Sequence, residues 1–493
     1  MKPIFVKELE FLNNYGADIP KNCWRDGIKI YLNHNDPFPI IKLKIDNKND
    51  KIKISKNCIE KIEGNKVHIK TKDKGKKYEE VWINKTLYEE VAESSERLDK
   101  LIGKSIGYTV ACMKKYKDYN WRISDSSGKD SLVCNYICQK AMKIVKKFDF
   151  DIDFFNTTND VADTYLTIKQ NIRKDVIFIL ENKLNRCPTE DEILNMYNEI
   201  LLQWIHNPEQ GFYQWIIDTK KYFAPTIGVR NCCSNFKENK LKDILDKKKN
   251  YVLFLGMRKY ESTRRQHYDW YLNESMDKMY NKTKQNKYKL NMPRNWIRFL
   301  PIVEWTDADI WLLILREKLE YNPIYNKGFG RAGCIICPMS SAYNDLLTKY
   351  WYRSIWNRWN NILEINYDTY NRGQALKWTK DEYILDGKWK TGESKVQGII
   401  TKKKTLERVK EVADILNVSE NVAEKYFKNE CSCGKRLNPD EIAMYLKMFG
   451  RYENEVDDRV YFCKDCLCKE LGLTKDEYAL KVQEFRELGC NLF

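Results

Sequence analysis

Histidine is nearly absent from this sequence: four in 493 residues (His34, His68, His206 and His267), none inside a cysteine cluster. Any metal centre is therefore expected to be thiolate-only, which suits zinc or iron–sulfur and excludes a mixed cysteine–histidine site. Long apolar runs are missing too; nothing approaches the roughly 20 residues that span a bilayer, so no membrane partner is expected. Nor does the start resemble a secretory h-region, because Met1-Lys2-Pro3-Ile4 is followed at once by Glu8 and Glu10. A reducing, cytoplasmic setting is the expectation. No internal repeat stands out. What the chain does have is 16 cysteines, and in a large chain without an export signal clustered cysteines point to metal before disulfides. The 43% apolar content, with 14 Trp and 31 Tyr, is enough to bury cores. The length suggests roughly two to four domains. Lys and Arg number 86 against 70 Asp and Glu, a net charge of +16. Such a surplus attracts nucleotides or nucleic acid, although a Lys-rich composition with solvated faces produces the same figure.

Residues 1–100 read as a β-rich appendage. Ile28–Leu32, Ile40–Ile45, Lys51–Ile54 and Lys66–Lys70 are short strands, several alternating with period two, punctuated by turn-like Asn47–Asp50 and Thr71–Gly75. Packing and nucleic-acid binding are both open as its role. From 101 to 345 strands alternate with helices. Leu101–Tyr116 reads as a helix, Trp121–Ser124 as a strand, Leu132–Lys147 as a helix, and Ile152–Phe155 and Val252–Leu255 as further strands. This alternation predicts an α/β domain with a parallel sheet. Residues 346–404 read as a helical segment and linker, and 405–493 as a small, α-rich, cysteine-rich domain.

Between the first strand and helix of the α/β domain lies Ser126-Ser127-Gly128-Lys129-Asp130-Ser131. Small residues let backbone N–H groups converge on an anion, and the following helix adds its positive dipole end. The serine hydroxyls are further donors and Lys129 is a point charge. The spacing is not that of a Walker loop. A polar turn with Asp125 or Ser126 capping the helix is the bland alternative.

This segment resembles the PP-loop, usually Ser-Gly-Gly-Lys-Asp-Ser, of phosphoadenosine phosphosulfate (PAPS) reductases and ATP pyrophosphatases, with Ser127 in place of the first Gly. Four more segments agree in order. Asn156–Thr164 resembles the family's second-strand signature, with Asn156 where Asp is common. Gly256–Arg265 resembles Gly-x-Arg-x-x-Glu-Ser-x-x-Arg, and Pro301–Trp311 resembles Pro-Ile-x-x-Trp-x-x-x-Asp-Val-Trp. Asn322-Pro323-Ile324-Tyr325, then Gly328, Arg331, Gly333 and Cys334-Ile335-Ile336-Cys337-Pro338, resembles the family's closing segment. The resemblance covers about residues 105–345. It implies an adenine-nucleotide α-hydrolase-like fold that binds its nucleotide at the strands' C-terminal ends. Ser126, Ser127, Gly128, Lys129, Asp130 and Ser131 would hold the phosphate or sulfate end, and Arg258 and Arg265 would neutralise further charge. Glu261 and Arg265 also read as a helical (i, i+4) pair, and Trp305 and Trp311 as core.

Cys232-Cys233 with Cys334-x-x-Cys337 is similar to the [4Fe–4S] pattern of adenosine phosphosulfate (APS) reductases. Adjacent cysteines chelate one tetrahedral zinc poorly but can reach different irons of a cube. Cys431-x-Cys433 with Cys463-x-x-Cys466 reads as a structural zinc site, for which Cys468 is a substitute ligand.

Two reactions fit. In sulfonucleotide reduction, APS or PAPS would be attacked by a cysteine and released by a thiol reductant; Cys490 is the candidate nucleophile, although the family's Glu-Cys-Gly-x-His tail is not matched by Glu487–Phe493. In ATP-dependent sulfur transfer to DNA or tRNA, Mg²⁺ would accompany ATP, Asp130 would orient the metal-bound phosphate, and a sulfur donor would be the partner. A nucleotide-binding scaffold or regulatory protein is the reading outside enzymes.

Overall fold

The computed structural model describes residues 1–36, 39–56, 59–63, 65–73, 76–262, 265–284, 293–370, 378–391 and 462–487, together with single positions 410, 420, 431, 433, 435, 437, 441 and 444. Two compact units emerge, Met1–Gly392 and Glu393–Phe493.

The first unit opens with β1 (Lys2–Pro3) and helix α1 (Val6–Asn13), then β2 (Trp24–Asp26), β3 (Lys29–Tyr31), β4 (Ile41–Asp46) and β5 (Lys51–Lys56). These five strands form an antiparallel sheet in chain order. The period-two pattern is visible in β4, where Ile41 and Leu43 are buried while Lys42 and Lys44 face solvent. A second antiparallel sheet follows, β6 (Ile59–Glu63), β7 (Lys66–Asp73) and β8 (Lys76–Ile83).

Helix α2 spans Leu87–Lys115, so it begins well before the helix expected at Leu101 and runs across the boundary expected at residue 100. Its start is fixed by a capping box: Thr86 Oγ1 accepts the Glu89 N–H at 3.2 Å and Glu89 accepts the Thr86 N–H at 2.7 Å. Its buried residues are Glu90, Ser94, Leu98, Ser105, Thr109, Cys112 and Met113. This stripe has helical spacing but is mostly small and polar, so hydrophobic periodicity does not reveal it.

The central sheet is parallel throughout. It comprises β9 (Asn120–Ser124), β10 (Asp151–Phe155), β11 (Ile205–His206), β12 (Tyr251–Phe254) and β13 (Trp296–Phe299), in the order β11-β10-β9-β12-β13. Between strands run α3 (Lys129–Val145), α4 (Ala162–Leu184) and α5 (Glu190–Trp204). The four residues of β12 are all buried, as a strand covered on both faces requires. The chain moves outward from β9 through β10 to β11, then returns to the other side of β9 for β12. The order reverses at β9, which makes the crevice beyond its C-terminal end a topological switch point.

Helices Ala342–Trp351 and Arg353–Tyr370 complete the unit. One continuous apolar core runs from Ile4 to Trp389 and includes Trp305, Trp311 and Trp359. Because Tyr383 and Trp389 are buried in it, residues 378–391 belong to the unit's body instead of forming a linker. No described helix is long and apolar enough to cross a membrane.

In the second unit, helices Lys464–Leu471 and Lys475–Glu487 pack a small core of Met444, Leu467, Cys468, Tyr478 and Val482.

Candidate functional site

The segment after β9 turns straight into α3. Gly128 is the N-cap, so the first-turn amides of α3 face the crevice. Among the described residues, no protein acceptor is paired with the N–H of Gly128 or Asp130, whereas that of Lys129 donates to the Tyr325 hydroxyl at 2.9 Å. A helix start with unpaired amides is an anion site. The serines behave differently from the simple expectation of hydroxyls aimed at a ligand. Ser131 Oγ donates to Asp125 at 2.8 Å, and the Ser127 N–H donates to the same carboxylate at 2.7 Å. Both brace the loop from beneath; the Ser126 side chain alone of the three is on an exposed residue. Ser127 sits at φ 56°, the left-handed region where Gly is free of strain. Its hydroxyl accepts from Asn322 Nδ2 at 3.0 Å, a partner that a Gly here would lack. Burial raises the Asp125 pKa, against its bonds from Ser131, Asn171 and Ser127.

The crevice collects two buried cations. Lys129 Nζ pairs with Asp130 and Asp307, each at 2.8 Å. Arg258, on the segment after β12, donates from Nε to Asp130 at 2.7 Å and from Nη2 to Asp307 at 2.5 Å. Burial works against the Lys129 charge, but the two carboxylates outweigh it and hold the ammonium above its usual range. Asp307 is likewise held far below the usual carboxylate range, burial being outweighed by Lys129, the Met1 amine and Arg258. Gly256 permits this arrangement: a Cβ there would lie 2.8 Å from the Asp130 carbonyl oxygen. Arg265 forms an ion pair with Glu261, but not as a helical pair: the short 3-10 turn ends at Glu261 and Ser262 is extended.

The segment after β10 grips the cysteine loop. Asn159 accepts the Ile335 N–H through its carbonyl at 2.7 Å and donates from Nδ2 to the Ile336 carbonyl at 2.7 Å. Cys334 Sγ lies 3.4 Å from Thr157 Oγ1. Cys232 neighbours Cys233 and is close enough to Cys334 and Cys337 for their charges to interact, so the four predicted thiols gather in one region. Lys237 lies among Cys334, Asp160 and Cys233; the Cys334 charge, ahead of burial, raises its pKa. Cys233 is lowered to about 6 by neighbouring Cys232, with Lys237 and Arg230 assisting against burial.

Among the described residues, one group of metal-ligating side chains has its ligand atoms all within 4.8 Å of one another: Cys431, Cys433, Cys463 and Cys466. Cys433 and Cys463 Sγ are 3.8 Å apart. That matches the edge of about 3.8 Å that a tetrahedron of ~2.3 Å metal–sulfur bonds demands. Cys468 is not in the group; its Sγ–H points to the Thr474 carbonyl, and the side chain packs in the small core. The quartet can bind a metal. Cys490 lies outside the described residues.

Sequence reasoning passed over Asp307, Asn322, Tyr325 and Lys237. The first three lie inside segments already singled out, and Lys237 follows Cys233 by four residues, one helical turn. A cavity of about 260 Å³ lies at the other end of the sheet, between Trp121, Lys147, Phe150 and Trp204, away from all of these groups.

Residues 120–340 match the family model described as the phosphoadenosine phosphosulfate reductase domain. An uncharacterized protein of Methanocaldococcus jannaschii is 26% identical over 305 residues, 61% of this chain and 59% of that protein. An adenosine 5'-phosphosulfate reductase of Geobacillus sp. (strain WCH70) is 24% identical over 206 residues, 42% of this chain and 69% of its own. A crystal structure of phosphoadenylyl-sulfate (PAPS) reductase from Candida auris, in complex with phosphate, is 12% identical with a TM-score of 0.27, covering 48% of this chain and 94% of that one. The chain spans about half the length of the Methanocaldococcus relatives it matches, 44% to 59%.

Proposed function

We propose, from the match of residues 120–340 to the phosphoadenosine phosphosulfate reductase domain model, that this chain binds APS or PAPS in the switch-point crevice and reduces its sulfur to sulfite. The observation that carries this reading is the meeting of Lys129 and Arg258, both buried, at the open N-terminus of α3. Polyanion recognition needs fixed cations and free amides together. Asp130 and Asp307 hold both cations in place until a phosphate or sulfate group competes for them.

Reduction needs two thiols. A thiolate attacks the sulfur, the S–O bond breaks, and its electron pair leaves on the 5′-phosphate of the nucleotide, as AMP from APS or adenosine 3′,5′-bisphosphate from PAPS. A second thiol attacks the resulting S-sulfonated cysteine, releasing sulfite and closing a disulfide, so the two thiols supply both electrons. Cys490 is the candidate for the first thiol on sequence grounds alone.

Cys232, Cys233, Cys334 and Cys337 would hold a [4Fe–4S] cluster. Support comes from their gathering in one region with Lys237 among them. Adjacent cysteines suit ligands on separate irons better than one tetrahedral ion. The cluster would supply fixed charge beside the bound anion. At the C-terminal quartet, a structural zinc ion is the proposed occupant.

A second reading, ATP-dependent sulfur transfer to DNA or RNA, is favoured by one feature. The carboxylates of Asp130 and Asp307 stand together at the phosphate grip, where Mg²⁺ accompanying ATP would find oxygen ligands. One comparison separates the two. The anaerobically purified chain is incubated with PAPS or APS plus a thiol reductant, and separately with ATP with or without nucleic acid. Sulfite release supports reduction; pyrophosphate stimulated by DNA or RNA, without sulfite, supports transfer. Neither product leaves a nucleotide-binding scaffold.

A further inference from the structure

The N-terminal strands and α1 have no part in the chemistry above, yet they carry a buried charge cluster aimed at the site. Glu8 is 0% exposed and ion-paired with Lys2 and Arg25, which are 4% and 5% exposed. Buried charges persist at reasonable cost only when every polar atom finds a partner. Two of the remaining partners lie within the module, the Pro3 carbonyl 2.9 Å from Lys2 Nζ and the Gly27 carbonyl 2.5 Å from Arg25 Nη1, and two more come from one turn of the central domain. Lys2 Nζ donates to the Tyr325 carbonyl at 3.3 Å, and Arg25 Nη2 donates to the Gly328 carbonyl at 2.5 Å. The Tyr343 hydroxyl donates to Glu8 at 3.2 Å. Gly328 is matched to this contact: its φ is +97°, and a Cβ would lie 3.0 Å from the Glu8 side chain.

The gripped turn is the one that joins the two working loops. The buried Tyr325 hydroxyl accepts the Lys129 N–H of the phosphate loop at 2.9 Å and the Ala332 N–H at the head of the cysteine loop at 3.1 Å. A module that merely packed would need no ions, since apolar side chains of similar volume serve as well or better. Directional bonds to the carbonyls at both ends of the turn, Tyr325 and Gly328, do what apolar contact cannot: they fix where the turn sits.

We propose that the N-terminal module is a positioning clamp, in which Arg25, Glu8 and Lys2 hold the Tyr325–Gly328 turn so that the Tyr325 hydroxyl keeps the phosphate loop and the cysteine loop in register. Arg25 and Tyr325 are positioning residues; neither is placed on substrate. The functional consequence rests on the crevice being the nucleotide site, but the mechanical coupling does not.

The test uses the full chain with Arg25→Lys, Tyr325→Phe and the double substitution. Amide hydrogen exchange is followed by mass spectrometry in peptides containing Lys129 and Ala332, and AMP affinity by calorimetry. Arg25→Lys keeps a cation beside Glu8 but loses the fork that reaches Gly328. It is expected to speed exchange in both peptides, although both are distant in sequence, and to weaken AMP binding, each by about tenfold. The double variant should match Tyr325→Phe in both peptides, because the two residues act in series. Faster exchange confined to residues 2–28, or effects of the two substitutions that simply add, overturns the clamp. If Arg25→Lys does not fold, Tyr343→Phe removes one bond from Glu8 without removing a charge and is read by the same outcomes. A wild-type chain that does not bind AMP, but whose variants show the expected exchange, refutes the nucleotide reading and leaves the clamp standing.

Discussion

The chain carries two sets of four cysteines, and they are built on opposite plans. Cys431, Cys433, Cys463 and Cys466 come from two short segments and converge to within 4.8 Å with little core around them. Cys232, Cys233, Cys334 and Cys337 sit on two segments braced by others, with Lys237 among them and Asn159 tying the Cys334 loop to the strand-end segment after β10. The first set is a local closure, whose geometry a single ion explains. The second is an assembled site, whose geometry depends on the parallel sheet holding its loops at one edge. Cysteine spacing alone suggests two metal centres; the surroundings distinguish a locally closed quartet from a set carried on braced loops of the central sheet.

The largest effect expected from breaking this contrast is in the second unit. Cys463→Ser should release the metal and expose residues 393–493 to protease, while the melting of the first unit is unchanged. Four-thiolate zinc binding is worth about 10–16 kcal/mol in small domains, more than so small a core supplies. Metal analysis and limited proteolysis check it. Next in size, Cys334→Ser should abolish the visible absorption of the first centre and leave the zinc content intact; loss of both would mean that the two sets are not independent. Smaller again, Lys129→Ala should weaken AMP binding by roughly 10–100-fold, the worth of a charge-assisted hydrogen bond in a desolvated site, with both metals retained. Calorimetry reads that loss.

The smallest effect probes the support beneath the phosphate loop. Asp175, fully buried beside Asn135 and Gln139, has its pKa raised from 3.8 to about 7, mainly by burial and against its bond from Asn135. A folded value above the unfolded one means a contribution fully present below pH 3.8 and lost as the pH rises through about 7. Asp175→Asn should therefore raise the melting temperature at pH 8 and change it little at pH 4. An equal shift at both values would mean that the carboxyl does not titrate in this window.

Much of the assembled site is legible in the sequence, because its parts are punctuated. The Ser126–Ser131 loop follows an apolar strand and precedes a helix, Arg258 and Gly256 share one short segment, and the four cysteines form two pairs. What sequence does not reveal follows from the kind of signal each feature carries. Helix α2 starts early behind a polar buried stripe, which hydrophobic spacing cannot register. Ser127 and Ser131 turn inward because a buried carboxylate, Asp125, lies beneath the loop, and burial is not written locally. No motif or spacing links Lys2, Glu8 and Arg25 in the sequence; only the fold brings them to the Tyr325–Gly328 turn.

We propose that the two cysteine sets hold different metals for different purposes, and metal content decides it. Iron, acid-labile sulfide and zinc are measured per chain in anaerobically purified protein and in Cys334→Ser. The account predicts four irons and four sulfides with one zinc in the wild type, and the zinc alone in the variant. Colourless wild-type protein carrying two zinc ions per chain would contradict it.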